Sequence, residues 1–394
     1  MACSRIDGII TSHTLQHRVF KKGEAMTQTT SGAQPACARQ LTRPVNVGGI
    51  VVGGGAPVIV QSMTNLPMID SDKGPILDIE GNLAQISRLA DAGCELVRVA
   101  IPNRASVEAF QRVCEQSPLP VIADVHFDHE IAIGAARCGA AALRINPGNI
   151  GTQERVDAVI DAAGEAGIPI RIGVNAGSLE DAIAARQDLT QPQKLALSAA
   201  GFVDHFSNRG FDDIVISAKS HDVMTTVAAY RQLSRELPHV PLHIGVTEAG
   251  TVQQGTIKSA AGLGMLLAEG IGDTLRVSLT ADPVEEIPVA YGILAAVDVR
   301  RARPELISCP TCSRCQVDMI PIATEVGRRL EKVDKPLKVA VMGCVVNGPG
   351  EARDADCGVA CGRESGMLFA HGEPLRKVPA SAIVDELFSL IEQL

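Results

Sequence analysis

The sequence has no tryptophan, two tyrosines and eight phenylalanines in 394 residues. Large aromatic rings cannot build a core of that size. Val, Ile, Leu and Ala must do so instead, which suits short buried strands covered by helices. No uninterrupted apolar run approaches the ~18 residues of a spanning helix, so no transmembrane helix is expected. Basic charge is also short: 36 Lys and Arg against 45 Asp and Glu leave a net charge of −9. That balance argues against a general binder of nucleic acid or of anionic membranes, while leaving room for a local basic pocket. With 46% hydrophobic and 21% charged residues the chain is too apolar for disorder. At about 150 residues per domain it is too long for one small core.

The opening segment MACSRIDGII lacks the basic start and apolar middle of a secretory signal. Residues 1–40 are polar and irregular, contain a second methionine at Met26, and read as a flexible extension. Arg and Ser there suggest an organellar transit peptide, but Asp7 and Glu24 oppose it; the expected location is cytoplasmic.

From 57 to 300 one pattern recurs. A β-rich run ends in polar residues and gives way to an Ala- and Leu-rich helical stretch. The eight runs are PVIVQS (57–62), ELVRVA (95–100), PVIADV (120–125), AALRI (141–145), PIRIGV (169–174), DIVIS (213–217), PLHIGV (241–246) and DTLRVS (273–278). Helices are expected at 78–92, 128–139, 152–167, 221–236 and 255–269, several closing on Gly. This alternation predicts an α/β fold with a (β/α)₈ TIM barrel over 41–300; an open doubly wound sheet is the alternative. RRARPELIS (300–308) reads as a linker. Residues 301–394 are expected to form a small α/β domain with a helix at 316–332, strands at 338–344 and 367–370, and a closing helix near 380–393.

Barrel chemistry sits at the C-terminal ends of the strands. There Arg98, Arg144, Arg171 and Arg276 stand inside apolar runs, where an unpaired guanidinium is expensive. Period-two alternation places Asn146, Asn175 and Ser278 on matching faces. Converging arginines would make a positive pocket whose forks match the oxygens of a diphosphate; alternatively each one pairs with a carboxylate and only braces the barrel. Asp124 and Glu248 are candidates for hydroxyl contacts and proton transfer, or for counter-ions. His126 reads as structural. Lys219 either adds a fifth positive charge or forms a Schiff base as in aldolases.

Eleven cysteines without a secretory signal favour metal or redox chemistry over disulfides. Cys3, Cys37, Cys94, Cys114 and Cys138 are scattered and read as buried hydrophobes or surface thiols, whereas Cys309, Cys312, Cys315, Cys344, Cys357 and Cys361 crowd one stretch. A C-x-x-C pair with a distant cysteine can hold three corners of a cubane iron–sulfur cluster, with Gly348 and Gly350 letting the backbone wrap closely. A zinc site completed by Cys315, Cys357, Cys361 or His371 remains open on spacing alone.

The segments ISCPTCSR and VMGCVVNGPGEA, with PVIVQSMTN, LRINPGNIG, IRIGVNAGSLE, GVTEAG and LRVSLTADP, resemble the 4-hydroxy-3-methylbut-2-enyl diphosphate synthase family in its compact bacterial form. The resemblance runs from about residue 42 to the C-terminus. It implies a [4Fe–4S] cluster held by Cys309, Cys312 and Cys344 with the Glu351 carboxylate on the fourth iron, and Asn347 as a substrate hydrogen-bond partner. It also implies reductive ring opening of 2-C-methyl-D-erythritol 2,4-cyclodiphosphate, whose diphosphate Arg98, Arg144, Arg171, Lys219, Arg276, Ser278 and Asn175 would hold. Asp124 and Glu248 would then handle hydroxyls and protons. Electrons would come from flavodoxin or ferredoxin, docked on the basic residues at 300–303 and 328–332 if these are not simply a solvated face. The implied assembly is a head-to-tail homodimer in which one subunit's cluster caps the other's barrel. Cys315 lies outside the implied ligand set, and Cys357 and Cys361 read as structural. Three competitors stand beside this reading: a Schiff-base aldolase, a pterin-binding transferase barrel and a zinc-stapled binding module.

Overall fold

The structure is a computed structural model that describes residues 39–72, 74–344 and 352–394. Residues 1–38 of the opening extension, Asn347, Gly348, Gly350 and Glu351 lie outside the described residues, while Arg39 pairs with Asp273.

The chain enters through a hairpin of β1 (Val45–Val47) and β2 (Ile50–Val52). Its turn residues Gly48 and Gly49 have φ of 58° and 94°, the left-handed pair a tight two-residue hairpin requires. Val45, Val47 and Val52 pack on Ile59, Leu96, Ile122, Ala142 and Val215, a separate apolar cluster formed with the starts of barrel strands. The hairpin therefore plugs the N-terminal end of the barrel. It was not foreseen in the sequence, because three-residue strands give almost no periodic signal.

The barrel strands are β3 (Ile59–Met63), β4 (Leu96–Ala100), β5 (Val121–Val125), β6 (Ala142–Ile145), β7 (Ile170–Asn175), β8 (Ile214–Lys219), β9 (His243–Ile244) and β10 (Thr274–Leu275). They run parallel in the order β8-β7-β6-β5-β4-β3-β10-β9, and the bridge from Ile216 to Leu242 joins the two ends. All eight expected runs became strands, and the barrel, not the open sheet, is the result. Around it lie α1 (Ile79–Asp91), α2 (Val107–Gln116), α3 (His129–Arg137), α4 (Pro147–Ile150), α5 (Gln153–Ala166), α6 (Asp181–Ala184), α7 (Gln191–Asn208), α8 (Val223–Glu236), α9 (Val252–Ala268) and α10 (Glu286–Ala296). Asp78, Asp128 and Asp222 cap α1, α3 and α8 by accepting from backbone N–H groups of the first turn. Asp128 and Asp222 each lie three residues past a strand end, so the same short segment that ends β5 or β8 starts its helix.

The C-terminal part holds β11 (Glu305–Ser308), α11 (Met319–Leu330), β12 (Lys338–Met342), β13 (Cys357–Cys361), β14 (Ser365–Ala370), β15 (Glu373–Pro379) and α12 (Ile383–Gln393). The five strands pair in sequence order, β11 and β13 parallel to β12 and the rest antiparallel. One sheet face is covered by α11 and α12 through Val339, Val341, Cys357, Val359, Cys361, Leu368, Val326, Leu387 and Ile391. The supposed linker 300–308 needs correction: its last four residues form β11 and pair with β12. Their half-exposed edge position kept them from reading as a strand. Among the described residues no helix is long and apolar enough to cross a membrane.

Candidate active site

Arg98, Arg144, Arg171 and Lys219 lie in β4, β6, β7 and β8, and Arg276 directly follows β10. Register sets Arg144 beside Asp124 on one side and Arg171 on the other, and pairs Asn175 with Lys219. The closure of the barrel thus turns scattered sequence positions into one cage.

Asp124 ties two arginines together. Its Oδ1 lies 3.1 Å from the Arg144 guanidinium and its Oδ2 3.6 Å from Nε of Arg98. His126 places Nε2 2.8 Å from Arg144 and 3.6 Å from Asp124. Burial pushes the Asp124 carboxyl up, but attraction to Arg98 and then Arg144, with the His126 contact, outweighs it and holds the group well below the usual carboxylate range. Asp124 is therefore an ionised acceptor at neutral pH. Burial takes Arg98 down to about 10, against the pull of Asp124.

Arg276 forks onto Glu286, with contacts of 3.0 and 2.9 Å, and Ser62 donates to the same carboxylate at 2.7 Å. For Arg276 the bracing role is thus real. Arg171 differs: one terminal nitrogen donates to Oε1 of Gln61 at 2.5 Å. Its Nε and its second terminal nitrogen are buried without a partner among the described residues, as is Nε2 of Gln61. Burial, then repulsion from Arg98 and Arg144, pushes the Arg171 guanidinium well below its ordinary range. Met63 fills the space between Arg98 and Arg276, its Sδ 2.9 and 3.1 Å from nitrogens of the first and 3.5 Å from the second. Lys219 reaches Nε2 of His243 at 3.0 Å. Five basic side chains therefore face two carboxylates, Asp124 and Glu286, among the described residues. A polyanion is what this excess lacks.

Beside Lys219 opens a cavity of about 560 Å³, lined by Asn175, Ser178, Ser220, Thr247 and Glu248 among others. Glu248 is exposed at its rim with a φ of 51°, a left-handed conformation that costs a non-glycine residue energy and is commonest at functional sites. Ser278 is half-buried two residues past Arg276. Asn146 turns to Ser178, donating to its carbonyl and its hydroxyl at 3.0 Å each. The structure thus brings Arg98, Arg144, Arg171, Lys219, Arg276 and Asp124 together, leaves Glu248 at the cavity rim, and adds Gln61, Met63, His243 and Glu286. Of these, Gln61 and His243 left a trace, as polar residues in the runs PVIVQS and PLHIGV.

The thiols lie in the C-terminal part. Cys309 follows β11 and Cys344 lies two residues past β12, on neighbouring parallel strands. Backbone bonds from Cys309 to Val341 and from Gln316 to Gly343 tie the 309–316 loop to β12. Cys312 is exposed on that loop, Cys309 is half-buried and Cys344 is buried. Two strand ends and their loop therefore present soft sulfur donors at one end of the sheet, which is a donor set an iron–sulfur cluster fits. Among the described residues no three His, Cys, Asp or Glu side chains already converge as a metal-holding group. Cys315 packs against Gly343, where a Cβ would meet its Sγ at 2.6 Å, and donates to the Val317 carbonyl. Burial pushes Cys357 and Cys361 up to about 11, so both stay thiols in the core of β13.

The arginines among the expected basic docking residues are already engaged. Arg300 pairs with Glu95, Arg301 with Asp298, and Arg328 and Arg329 with Glu325; Arg303 donates to the Ala92 carbonyl. These groups are a self-paired face rather than a free positive patch.

Residues 42–291 match the family model described as the GcpE TIM-barrel domain, and residues 305–393 match the GcpE protein C-terminal domain. A protein of Geobacter sulfurreducens named 4-hydroxy-3-methylbut-2-en-1-yl diphosphate synthase (flavodoxin) is 52% identical over 90% of this chain and 98% of its own. Proteins of the same name from Clostridium acetobutylicum and Azotobacter vinelandii are 49% and 48% identical, each over 90% of this chain and over 99% and 94% of their own. A solved dihydropteroate synthase from Burkholderia cenocepacia aligns with 66% of this chain and 99% of its own at a TM-score of 0.47 and 14% identity. The chain belongs to the GcpE family.

Proposed function

We propose that this enzyme is an oxidoreductase that makes 4-hydroxy-3-methylbut-2-enyl diphosphate from 2-C-methyl-D-erythritol 2,4-cyclodiphosphate, by two-electron reduction, ring opening and loss of water, in isoprenoid precursor synthesis. The observation that carries this reading is the cage in which Arg98, Arg144, Arg171, Arg276 and Lys219 outnumber Asp124 and Glu286. A diphosphate supplies the missing negative charge and the bidentate acceptors that guanidinium forks match.

Arg171 and Lys219 would meet the phosphate oxygens most directly, since neither has a carboxylate partner within the cage. Asn175 and Ser278 would add neutral donors along the diphosphate. Asp124, held ionised, would accept from a substrate hydroxyl and keep Arg98 and Arg144 in place. Glu248, exposed at the rim, is the better placed group to exchange protons with water.

Cys309, Cys312 and Cys344, with Glu351, would hold a [4Fe–4S] cluster, which when bound supplies electrons and a Lewis-acidic iron. Flavodoxin, the carrier in the relatives' names, or ferredoxin would reduce it, and we place the enzyme with these carriers in the cytoplasm.

A head-to-tail homodimer would bring a cluster to the barrel mouth. Supporting this, Met68, Ile69, Phe127, Met224 and Val252 are exposed apolar residues, all in loops or first helical turns that follow barrel strands. Phe127 is 71% exposed and holds a φ of 67°. Such a rim suits burial against a second copy.

Incubation under argon with the cyclodiphosphate and reduced flavodoxin should yield the linear allylic diphosphate, and absence of turnover by cluster-loaded protein rejects the reading. Mixing Glu351→Ala and Arg144→Ala chains, each inactive alone, should restore part of the activity. No recovery would reject shared sites. The lowered basicity of Lys219 also suits a Schiff-base enzyme; borohydride trapping at Lys219 in the presence of substrate would favour that second reading.

A further inference from the structure

Lys219 does not end in the cavity alone. From β8 its Nζ lies 3.0 Å from Nε2 of His243 in β9. The histidine is completely buried and Lys219 is 8% exposed. His243 is fixed from the other side as well: its Nδ1 is 3.5 Å from the Thr274 hydroxyl, and its carbonyl accepts from the Tyr230 hydroxyl at 2.6 Å. Tyr230 in turn accepts from Ala218 N–H at 3.1 Å, so one phenol joins β8 to β9 beside the pair. Gly245 completes the arrangement. A Cβ there would stand 3.0 Å from Nζ and 2.8 Å from the Arg276 carbonyl, so the strand leaves a channel in which the lysine lies. These contacts belong to four elements and all serve one lysine–histidine pair that no expected role used.

The charges facing the pair come from around the barrel: Arg98 of β4, Arg144 of β6, Arg171 of β7 and Arg276 after β10. The carboxylates in the cage, Asp124 and Glu286, are bound to arginines. Without an anion, a further proton on Lys219 or His243 would sit buried among four guanidiniums. Burial first, and then these like charges, press both groups well below their ordinary values.

We propose that diphosphate binding is coupled to proton uptake by the Lys219–His243 pair, with His243 as the positioning residue that accepts from the Lys219 ammonium and aims it at the phosphate. The proposal rests on the diphosphate reading above. The proton comes from solvent: an amine and a neutral imidazole in the free protein become an ammonium and a neutral imidazole in the complex. The imidazole keeps its own proton on Nδ1 toward Thr274. The lysine is then fully charged only when its counter-charge is present. Linkage makes binding weaken as pH rises through the window between the lowered value of the free protein and the restored value of the complex, by up to about tenfold per pH unit.

The test is calorimetric titration of the full, cluster-containing protein, without reductant, with the cyclodiphosphate at about pH 8, where each of its phosphates is ionised and carries no further titratable proton, in buffers of different ionisation enthalpy. The expected result is uptake approaching about one proton per cyclodiphosphate bound, falling to near zero in Lys219→Met. His243→Leu should weaken binding about tenfold and move the affinity–pH curve to lower pH, and His243→Gln, which restores an acceptor, should bring both back in part. The wild-type measurement stands whether or not the histidine variants fold. Tight binding without proton uptake, or equal uptake by Lys219→Met, overturns the coupling and leaves the diphosphate reading intact. Failure of the wild-type protein to bind the cyclodiphosphate overturns both.

Discussion

Gly173 stands directly against the guanidinium of Arg144: a Cβ built on it would fall 2.3 Å from Nε and 2.9 Å from Cζ. The glycine in β7 is therefore the space that the arginine of β6 occupies. Arg144 uses that space to reach Asp124 and His126 at once. Gly173→Ala should push the guanidinium out of register with Asp124. The expected outcome in steady-state kinetics is a roughly tenfold rise in KM with a smaller fall in kcat, since the residue acts on binding geometry. Unchanged KM would show that Arg144 does not hold the substrate from this position.

Arg171 predicts a conflict between stability and function. Two of its three buried nitrogens lack partners among the described residues, so the free protein carries a cost that an anion removes. Arg171→Met should raise the thermal midpoint, equivalent to about 1 kcal/mol, while raising KM for the diphosphate at least roughly tenfold. Calorimetry and kinetics on the same preparation check both. A destabilised Met variant would mean that the arginine is already satisfied in the free protein.

Asp124 sets a pH dependence whose sign follows from its depressed carboxyl. A group more acidic when folded contributes stability above its unfolded value of about 3.9 and loses it as pH falls through the lower folded value. Asp124→Asn strands Arg98 and Arg144 and should cost about 3–5 kcal/mol at neutral pH. The gap between wild type and variant should close below about pH 3.9. Denaturant titrations across the acid range measure it, and a gap that persists at the lowest pH would contradict the charge argument.

The two β-rich glycines, Gly173 and Gly245, show how much of this was legible. The runs PIRIGV and PLHIGV share the same Ile-Gly-Val end, and each glycine makes room for a cation from the preceding strand. The strands and arginines were readable because each βα unit announces itself locally: a β-branched run, a polar end, a capped helix. What the residues touch was not. Glu286 reaches Arg276 from α10, ten positions on, and Gln61 meets Arg171 across 110 positions of chain, the second a pairing that only barrel closure creates. Two of the missed strands have a different cause. β11 and β15 are the edges of their sheet, and β15 (EPLRKVP) is mostly exposed, so it carries the charges and prolines that edges tolerate and that disguise a strand.

The cysteines separate into two sets that substitution should distinguish. Cys309→Ser, Cys312→Ser and Cys344→Ser should each abolish the brown iron–sulfur absorbance with little change in fold. Cys357→Ser, which places a hydroxyl in the buried face of β13, should keep the colour and lower the thermal midpoint by a few degrees, equivalent to about 1 kcal/mol. Full absorbance in all three of the first set would dismiss these ligands.

Iron and acid-labile sulfide, determined on oxygen-free protein alongside turnover of the cyclodiphosphate by reduced flavodoxin, test the account most directly. It predicts about four irons and about four sulfides per chain, with turnover rising in proportion to iron content across partly loaded samples. Iron-free protein that converts the substrate at the full rate would contradict it.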